Sequence, residues 1–286
     1  MSLKPHQHET RTSSESSPQV EVWRAAHADL DTSVVARFES WLTDEERTRQ
    51  LRYRRPEDQL RFAVGRGMLR TLLSKHTGVP PQHWLFQLGP YGRPEAATNG
   101  SGIEAPAFNL SHSRGVTVAA ISADVSRLGA DVETLERGSH WSLARRFFAP
   151  SEAAVVEDAD VQDKEQLFLR FWTLKEAYVK AVGQGITLGL DTFCFELFDD
   201  APPSVQFRRS SSADDVPTWK PSPGQRPADT ADMPDAHRPK MPRGAPERWH
   251  FDELLLSRER VAVAMESLCR PRVTLRSFTE VHELES

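Results

Sequence analysis

Residues 164–182 read KEQLFLRFWTLKEAYVKAV, and this stretch gives the clearest prediction of secondary structure in the chain. Its apolar residues recur every three or four positions, which is the period of a helix with one buried face. They are Leu167, Phe168, Phe171, Leu174, Tyr178 and Val182. Glycines at 183 and 185 are typical of a helix end. We therefore predict a helix over residues 164–182.

Two charged residues on this helix are candidates for a functional site. Glu176 and Lys180 stand four positions apart and share one face, and Trp172 lies one turn earlier on that face. A surface ion pair would account for them. The alternative is that Glu176 binds a metal ion and Lys180 neutralises a phosphate.

Upstream, residues 129–133 read GADVE at the end of an apolar run that predicts a strand. Alternate residues of a strand point to the same face, so Asp131 and Glu133 should project together. Two adjacent carboxylates repel each other unless a proton or a cation lies between them. A hard divalent cation would satisfy both, and carboxylates that simply face water are the alternative.

A third polar segment, FNLSHS at residues 108–113, lies between two predicted strands. We predict a polar turn over residues 111–115. Ser111 and His112 could both contact a phosphate there, and the alternative is that His112 satisfies local backbone groups.

The rest of the chain predicts an α+β fold, with long helices and several mostly antiparallel strands. Helices are predicted from Thr43, after Pro56, over 141–148 and from Ser151, with 95–105 as a loop. We expect a disordered tail at 1–18, an N-terminal half at 19–122 and a C-terminal half at 123–286 that carries the metal site. Residues 199–247 are rich in Pro, Asp, Ser and Arg, which predicts a disordered insertion.

Composition narrows the class of protein. The 41 acidic and 36 basic residues give a net charge of −5, which argues against a nucleic-acid-binding protein. Eight arginines between residues 47 and 70 indicate either a solvated helix face or a site for a polyanionic small ligand. The two cysteines form no CxxC pair, and we expect buried free thiols. No signal peptide or membrane-spanning segment is evident, so we expect a cytoplasmic enzyme.

Taken together and in this order, the three segments resemble the motifs of 4′-phosphopantetheinyl transferases of the surfactin-synthetase-activator type. That family has a Ser-His turn, a G-x-D-x-E strand and a W-x-x-K-E-(A/S)-x-x-K helix. The resemblance extends to WLTDEER at 41–47, RF at 61–62 and YGRP at 91–94. It therefore covers roughly residues 35–198, and more weakly the predicted strands at 249–267.

The resemblance implies a pseudo-twofold pair of similar α+β halves with coenzyme A in the cleft between them. It implies transfer of the phosphopantetheine arm of coenzyme A to a serine of an acyl or peptidyl carrier protein, with release of 3′,5′-ADP. Such carriers serve fatty-acid, polyketide or non-ribosomal peptide synthesis. It further implies a monomer. From the net charge and the lack of a long apolar segment, we expect neither a nucleic-acid nor a membrane partner.

The resemblance also assigns residues. Asp131, Glu133 and Glu176 would hold Mg²⁺ at the pyrophosphate, and Glu176 would also be a candidate general base. Lys180 and His112 complete the implied catalytic set. The implied coenzyme A contacts are Arg49, Arg61, Arg93, Ser111, His112, Lys175 and Lys180.

One position departs from the family pattern, because Glu46 stands where some members carry a lysine of the 3′-phosphate clamp. The segment from Arg145 to Phe148 combines charge and apolar surface, and we expect it to contact an acidic carrier. Two alternatives stay open: a Mg²⁺-dependent phosphohydrolase with the same acids, and a non-catalytic protein that binds coenzyme A or a carrier.

Overall fold

The computed structural model describes residues 17–89, 93–98, 102–135, 140–207 and 246–279. The tail at 1–16, Pro90 to Gly92 and residues 208–245 of the insertion lie outside this part of the chain. The predictions made for them, including Tyr91-Gly92 of the YGRP motif, therefore have no structural description.

Six helices and eleven strands form the described fold, and they confirm the α+β class. The helices are α1 Thr32–Ser40, α2 Asp44–Leu51, α3 Pro56–Thr77, α4 Ala144–Phe147, α5 Pro150–Asp158 and α6 Lys164–Val182. The strands are β1 Gln19–Ala26, β2 Trp84–Leu88, β3 Pro94–Thr98, β4 Ala107–Ser113, β5 Val116–Ser122, β6 Arg127–Thr134, β7 Phe193–Glu196, β8 Ser204–Phe207, β9 Trp249–Leu255, β10 Glu259–Glu266 and β11 Arg272–Ser277.

The first sheet has the order β11-β1-β5-β4, and helices α1 and α3 pack beside it. Strands β1 and β11 are parallel, whereas β1, β5 and β4 are antiparallel neighbours. The core of this part of the molecule holds Trp23, Phe38, Met68, Leu72 and Trp84. The capping box predicted at Thr43 and Glu46 is present, and Gly78 ends α3 in the left-handed conformation at φ 73°.

The second sheet has the order β6-β10-β9, and helix α6 packs across it. The predicted stripe of α6 is largely buried there against Phe193, Trp249 and Phe251. A third cluster joins the two sheets, because valines of β1 and β5 share one core with β6 and β10. The carboxylates of β6 therefore lie where the two sheets meet.

Several local predictions were wrong. Residues 94–98 form a strand paired with β2 where we expected a loop, and helix α1 and strand β11 were not predicted. Strand β11 returns from the C-terminal part of the chain to the first sheet. Among the cysteines, neither is in a disulfide, but Cys269 is exposed and Cys194 is only partly buried.

No helix in the described part of the chain is both long and apolar enough to cross a membrane.

Candidate active site

Strands β4 and β6 belong to different sheets and meet through the side chains of β4. Strand β4 extends through Ser113, so Ser111 and His112 lie in a strand and not in the predicted turn. Alternate side chains of β4 accept hydrogen bonds from alternate backbone N–H groups of β6. The contacts join Asn109 Oδ1 to Ala130 N (3.1 Å), Ser111 Oγ to Val132 N (3.3 Å) and Ser113 Oγ to Thr134 N (3.3 Å). This side-chain junction fixes the two sheets side by side.

Gly129 explains how β6 comes close to helix α6. A Cβ atom at this position would lie 2.0 Å from the carbonyl oxygen of Ala177 and 2.4 Å from the backbone nitrogen of Ala181. Only glycine allows this approach. Because Asp131 and Glu133 share the strand face of Gly129, both carboxylates point toward the helix that carries Glu176 and Lys180.

Asp131 is the most enclosed of the three acids, with a side chain 7% exposed. Its Oδ1 accepts hydrogen bonds from Lys180 Nζ at 2.6 Å and from Ser111 Oγ at 2.8 Å. Lys180 Nζ also lies 2.7 Å from Ser111 Oγ. Glu133 accepts a hydrogen bond from Ser113 Oγ at 3.1 Å. Strand β4 therefore orients both carboxylates of β6.

Glu176 has a strongly shifted acidity. The pKa of its carboxyl is raised to about 7, mainly by burial and in part by the negative charges of Asp131 and Glu133, while the positive charge of Lys180 opposes the shift. The three acids therefore lie within electrostatic reach of one another. A carboxyl with a pKa near neutrality can accept a proton at physiological pH.

The chemistry of this donor set fits a divalent cation. The second oxygen of Asp131, Oδ2, is buried and has no hydrogen-bond partner among the described residues. A metal ion bound among three clustered acids would reduce their mutual repulsion. Within the described ranges, however, no group of three or more His, Cys, Asp or Glu side chains is already arranged to hold one. Mg²⁺ suits such a site because it keeps several waters and takes few protein carboxylates.

His112 lies on the opposite face of β4 from the junction, close to Arg61 and His27. The pKa of His112 is lowered to about 4, mainly because burial disfavours the charged ring and in part because of the positive charges of Arg61 and Lys180. The ring is thus neutral at pH 7 although its edge is exposed to solvent. A neutral imidazole beside two cations can donate one N–H to an anion.

The arginines between residues 47 and 70 include both exposed and buried side chains. Arg66 and Arg70 are 7% and 0% exposed, and Glu46 accepts contacts from both, at 3.2 Å and 2.6 Å. The carboxylate at position 46 therefore organises buried arginines, which explains the departure from the family pattern. Burial lowers the pKa of Arg66 to about 10, which leaves it charged.

Arg49 and Arg61 are more accessible. The Arg49 guanidinium lies 5.8 Å from the centroid of the Phe62 ring. It lines an open cleft of about 760 Å³ with Asp44, Glu45, Thr48, Arg52 and Tyr53. Arg61 pairs with Asp58 at 3.0 Å. None of the residues that line this cleft belongs to the carboxylate cluster.

Two of the residues predicted to bind coenzyme A, Lys175 and Arg93, have side chains that are occupied by contacts within the protein. Lys175 is 0% exposed and pairs with Glu152 at 2.7 Å inside the second core. It also donates to the carbonyls of Leu190 and Phe193 at 2.6 and 2.8 Å, so its ammonium group is not available to a ligand at the carboxylate cluster. Arg93 donates to backbone carbonyls of three elements.

The residues that sequence reasoning missed are Asn109 and Ser113, which complete the junction, and Glu152, which neutralises Lys175. The alternation of Asn109, Ser111 and Ser113 was a usable pattern, because polar residues at every second position of a buried strand need partners.

Comparison with known proteins identifies the family of the chain. The family model described as "4'-phosphopantetheinyl transferase, N-terminal" matches residues 22–124, and the one described as "4'-phosphopantetheinyl transferase superfamily" matches residues 127–228. A 4′-phosphopantetheinyl transferase of Bacillus subtilis is 30% identical over 57% of this chain and 69% of the relative. The 4′-phosphopantetheinyl transferase HetI of Nostoc is 36% identical over 59% of this chain and 71% of the relative.

The 4′-phosphopantetheinyl transferase Sfp of Bacillus subtilis is 28% identical over 70% of this chain and 86% of the relative. A solved structure of the holo-[acyl-carrier-protein] synthase of Thermotoga maritima covers 50% of this chain and 64% of that chain. The two chains are 16% identical, and the TM-score is 0.32.

Proposed function

The chain belongs to the 4′-phosphopantetheinyl transferase family, and we propose that its carboxylate cluster transfers the phosphopantetheine arm of coenzyme A to a carrier-protein serine. The observation that carries the proposal is the arrangement of Glu176, with a pKa of about 7, beside Asp131, Glu133 and Lys180. These groups combine a proton acceptor with a cation in one partly buried cluster. Phosphoryl transfer needs both, together with accurate positioning of the reactants.

In the proposed reaction the serine hydroxyl oxygen attacks the phosphorus that bears the pantetheine arm. A new P–O bond forms to the carrier, and the bond to the second phosphate breaks, which releases 3′,5′-ADP. Glu176 takes the serine proton, directly or through a water molecule. Lys180 offsets the charge that develops on the pyrophosphate oxygens.

The remaining site residues are proposed to bind coenzyme A. His112, as a neutral donor, and Ser111 would contact phosphate oxygens. Arg49 and Arg61 would hold the 3′-phosphate, since a guanidinium can pair two phosphate oxygens at once.

Asp131, Glu133 and Glu176 are the residues that would hold Mg²⁺. The ion would neutralise the pyrophosphate charge when bound. The unpartnered Oδ2 of Asp131 supports this assignment. We further propose a monomer, because β4, β6 and α6 of a single chain supply the whole cluster.

The test is the intact mass of an apo carrier protein after incubation with this protein, coenzyme A and Mg²⁺, beside a Glu176→Gln variant. We expect a mass gain of one phosphopantetheine arm that is lost with EDTA and in the variant. No gain across several carrier types, with coenzyme A still bound, would indicate a non-catalytic binder. Cleavage of coenzyme A without a modified carrier would indicate a phosphohydrolase.

A further inference from the structure

The guanidinium of Arg93 lies at the point where helix α6 meets strands β4 and β6. Nη1 donates to two carbonyls at the end of α6, and Nη2 donates to one carbonyl of each strand. The four hydrogen bonds are to Lys180 O (3.1 Å), Ala181 O (3.3 Å), Phe108 O (3.0 Å) and Leu128 O (3.3 Å). One side chain therefore joins all three elements that carry the proposed site.

The C-terminal end of α6 is a favourable position for the positive charge of Arg93. The last four carbonyls of a helix have no partner within the helix, and they form the negative end of its dipole. Helix α6 ends at Gly183, which adopts φ 79° as its C-terminal cap, and Arg93 lies against this glycine. A planar guanidinium holds its N–H groups in fixed directions, so it can donate hydrogen bonds to carbonyls of the helix and of the strands at once. The N–H groups of a lysine ammonium have no such fixed arrangement.

The same contacts leave little of Arg93 for a ligand. Its two terminal nitrogens carry four N–H groups, and the four carbonyls account for all of them. Burial lowers the pKa of the group, but an arginine stays charged. Direct binding of a phosphate would require these hydrogen bonds to break.

We infer that Arg93 is a positioning residue, which fixes the end of α6 against β4 and β6 and so holds Lys180 and Glu176 opposite Asp131. This inference rests on the proposed transfer reaction. It differs from the role implied by the sequence resemblance, in which Arg93 binds coenzyme A directly.

The kinetic test compares coenzyme A with 3′-dephospho-coenzyme A as donors for Arg93→Met, Arg93→Lys and Arg49→Met. For Arg93→Met we expect kcat to fall on the order of 100-fold with both donors, because a small displacement of catalytic groups slows the reaction by about this much. The KM for each donor should change little. Arg93→Lys should have a higher kcat than Arg93→Met, because lysine keeps the positive charge although it lacks the planar arrangement of N–H donors. Arg49→Met should instead raise KM for coenzyme A and have little effect with the dephospho donor.

A higher KM for coenzyme A with kcat retained in Arg93→Met would overturn the inference and make Arg93 a direct ligand. Amide hydrogen exchange gives a second readout that does not depend on activity. We expect faster exchange in the last turn of α6 and at the adjoining parts of β4 and β6, with the rest of the chain unchanged. Unchanged exchange, or a uniform increase across the chain, would also overturn it. If wild-type protein modifies no carrier, the proposed function fails, but exchange still tests whether Arg93 fixes α6.

Discussion

Lys180 Nζ lies 2.6 Å from Asp131 Oδ1, so the lysine of helix α6 serves as the counter-ion of the buried carboxylate on strand β6. This contact occupies one oxygen of the proposed metal ligand, while Oδ2 has no partner among the described residues. Lys180 and Mg²⁺ would therefore compete electrostatically for the same acid.

This competition predicts opposite effects of Lys180→Met on binding and on transfer. Loss of a positive charge a few ångströms from the metal position should tighten Mg²⁺ binding roughly tenfold. Transfer should fall on the order of 100-fold, because charge on the leaving group is no longer offset. Titration calorimetry with Mg²⁺ and the carrier mass assay measure the two effects. Lys164→Met, at the other end of α6, is the control. Weaker Mg²⁺ binding in Lys180→Met would contradict the competition.

The neighbouring lysine should behave differently. Lys175→Met would leave Glu152 buried without its counter-ion, and such a change costs about 3–5 kcal/mol of unfolding free energy. Lys180→Met should cost far less, because its side chain is 29% exposed. Urea unfolding of both variants checks the difference. Lys175→Met with Glu152→Gln should recover part of the loss, and equal stability of the two single variants would refute this account.

These two lysines show how much of the candidate site can be predicted from the sequence. Lys175 and Lys180 belong to one motif, and the resemblance assigned coenzyme A to both. Five residues on a helix correspond to a rotation of about 140°, so the two side chains leave different faces. Lys175 follows the apolar stripe at Leu174 and is buried with it. Periodicity could have separated them, whereas Glu152, the partner of Lys175, could not be found from sequence because it lies on another helix.

The same contrast holds for the rest of the site. The shared face of Asp131 and Glu133 follows from the period of a strand, and the sequence alone predicts it. The contacts of Arg93 could not be predicted, because their acceptors are backbone carbonyls distant in the chain, which leave no pattern of side chains. Strand β11 was missed for a similar reason, since its pairing with β1 depends on chain segments far apart in sequence.

Gly129 should not tolerate a side chain. Gly129→Ala would place a Cβ within 2.4 Å of two backbone atoms of α6, and the helix would have to move away from β6. We expect a loss of at least about 2 kcal/mol in unfolding free energy, as for other overpacked cores. Calorimetric melting measures it. Gly102→Ala is a control without nearby atoms, although its positive φ of 68° will itself cost some stability. A Gly129→Ala variant with wild-type stability and activity would show that the close approach is not needed.

The low pKa of His112 gives a prediction with a definite sign. Its folded pKa of about 4 lies below the ordinary 6.5, so the folded protein takes up this proton less readily than the unfolded chain. The contribution of neutral His112 to stability is therefore present above pH 6.5 and is lost as the pH falls toward 4. Arg61→Gln removes a nearby positive charge and should raise the pKa of His112. NMR titration of the imidazole measures it, with Arg54→Gln as the control. A titration midpoint near 6.5 in the wild-type protein would show that the fold does not lower the pKa of His112.

The carrier should dock beside helix α4. Arg145 is 78% exposed, Arg146 lies 5.3 Å from the centroid of the Phe147 ring, and Phe148 is buried, so the charged and apolar parts of this segment are separated. An acidic carrier surface would be attracted to the two arginines, one of which is shared with Glu157. We expect Arg145→Glu with Arg146→Glu to raise KM for the carrier about tenfold or more and to leave coenzyme A affinity unchanged. Arg272→Glu with Arg276→Glu, on the edge strand β11, is the charge-matched control. Carrier kinetics equal to wild type in the double variant would show that the carrier docks on another surface.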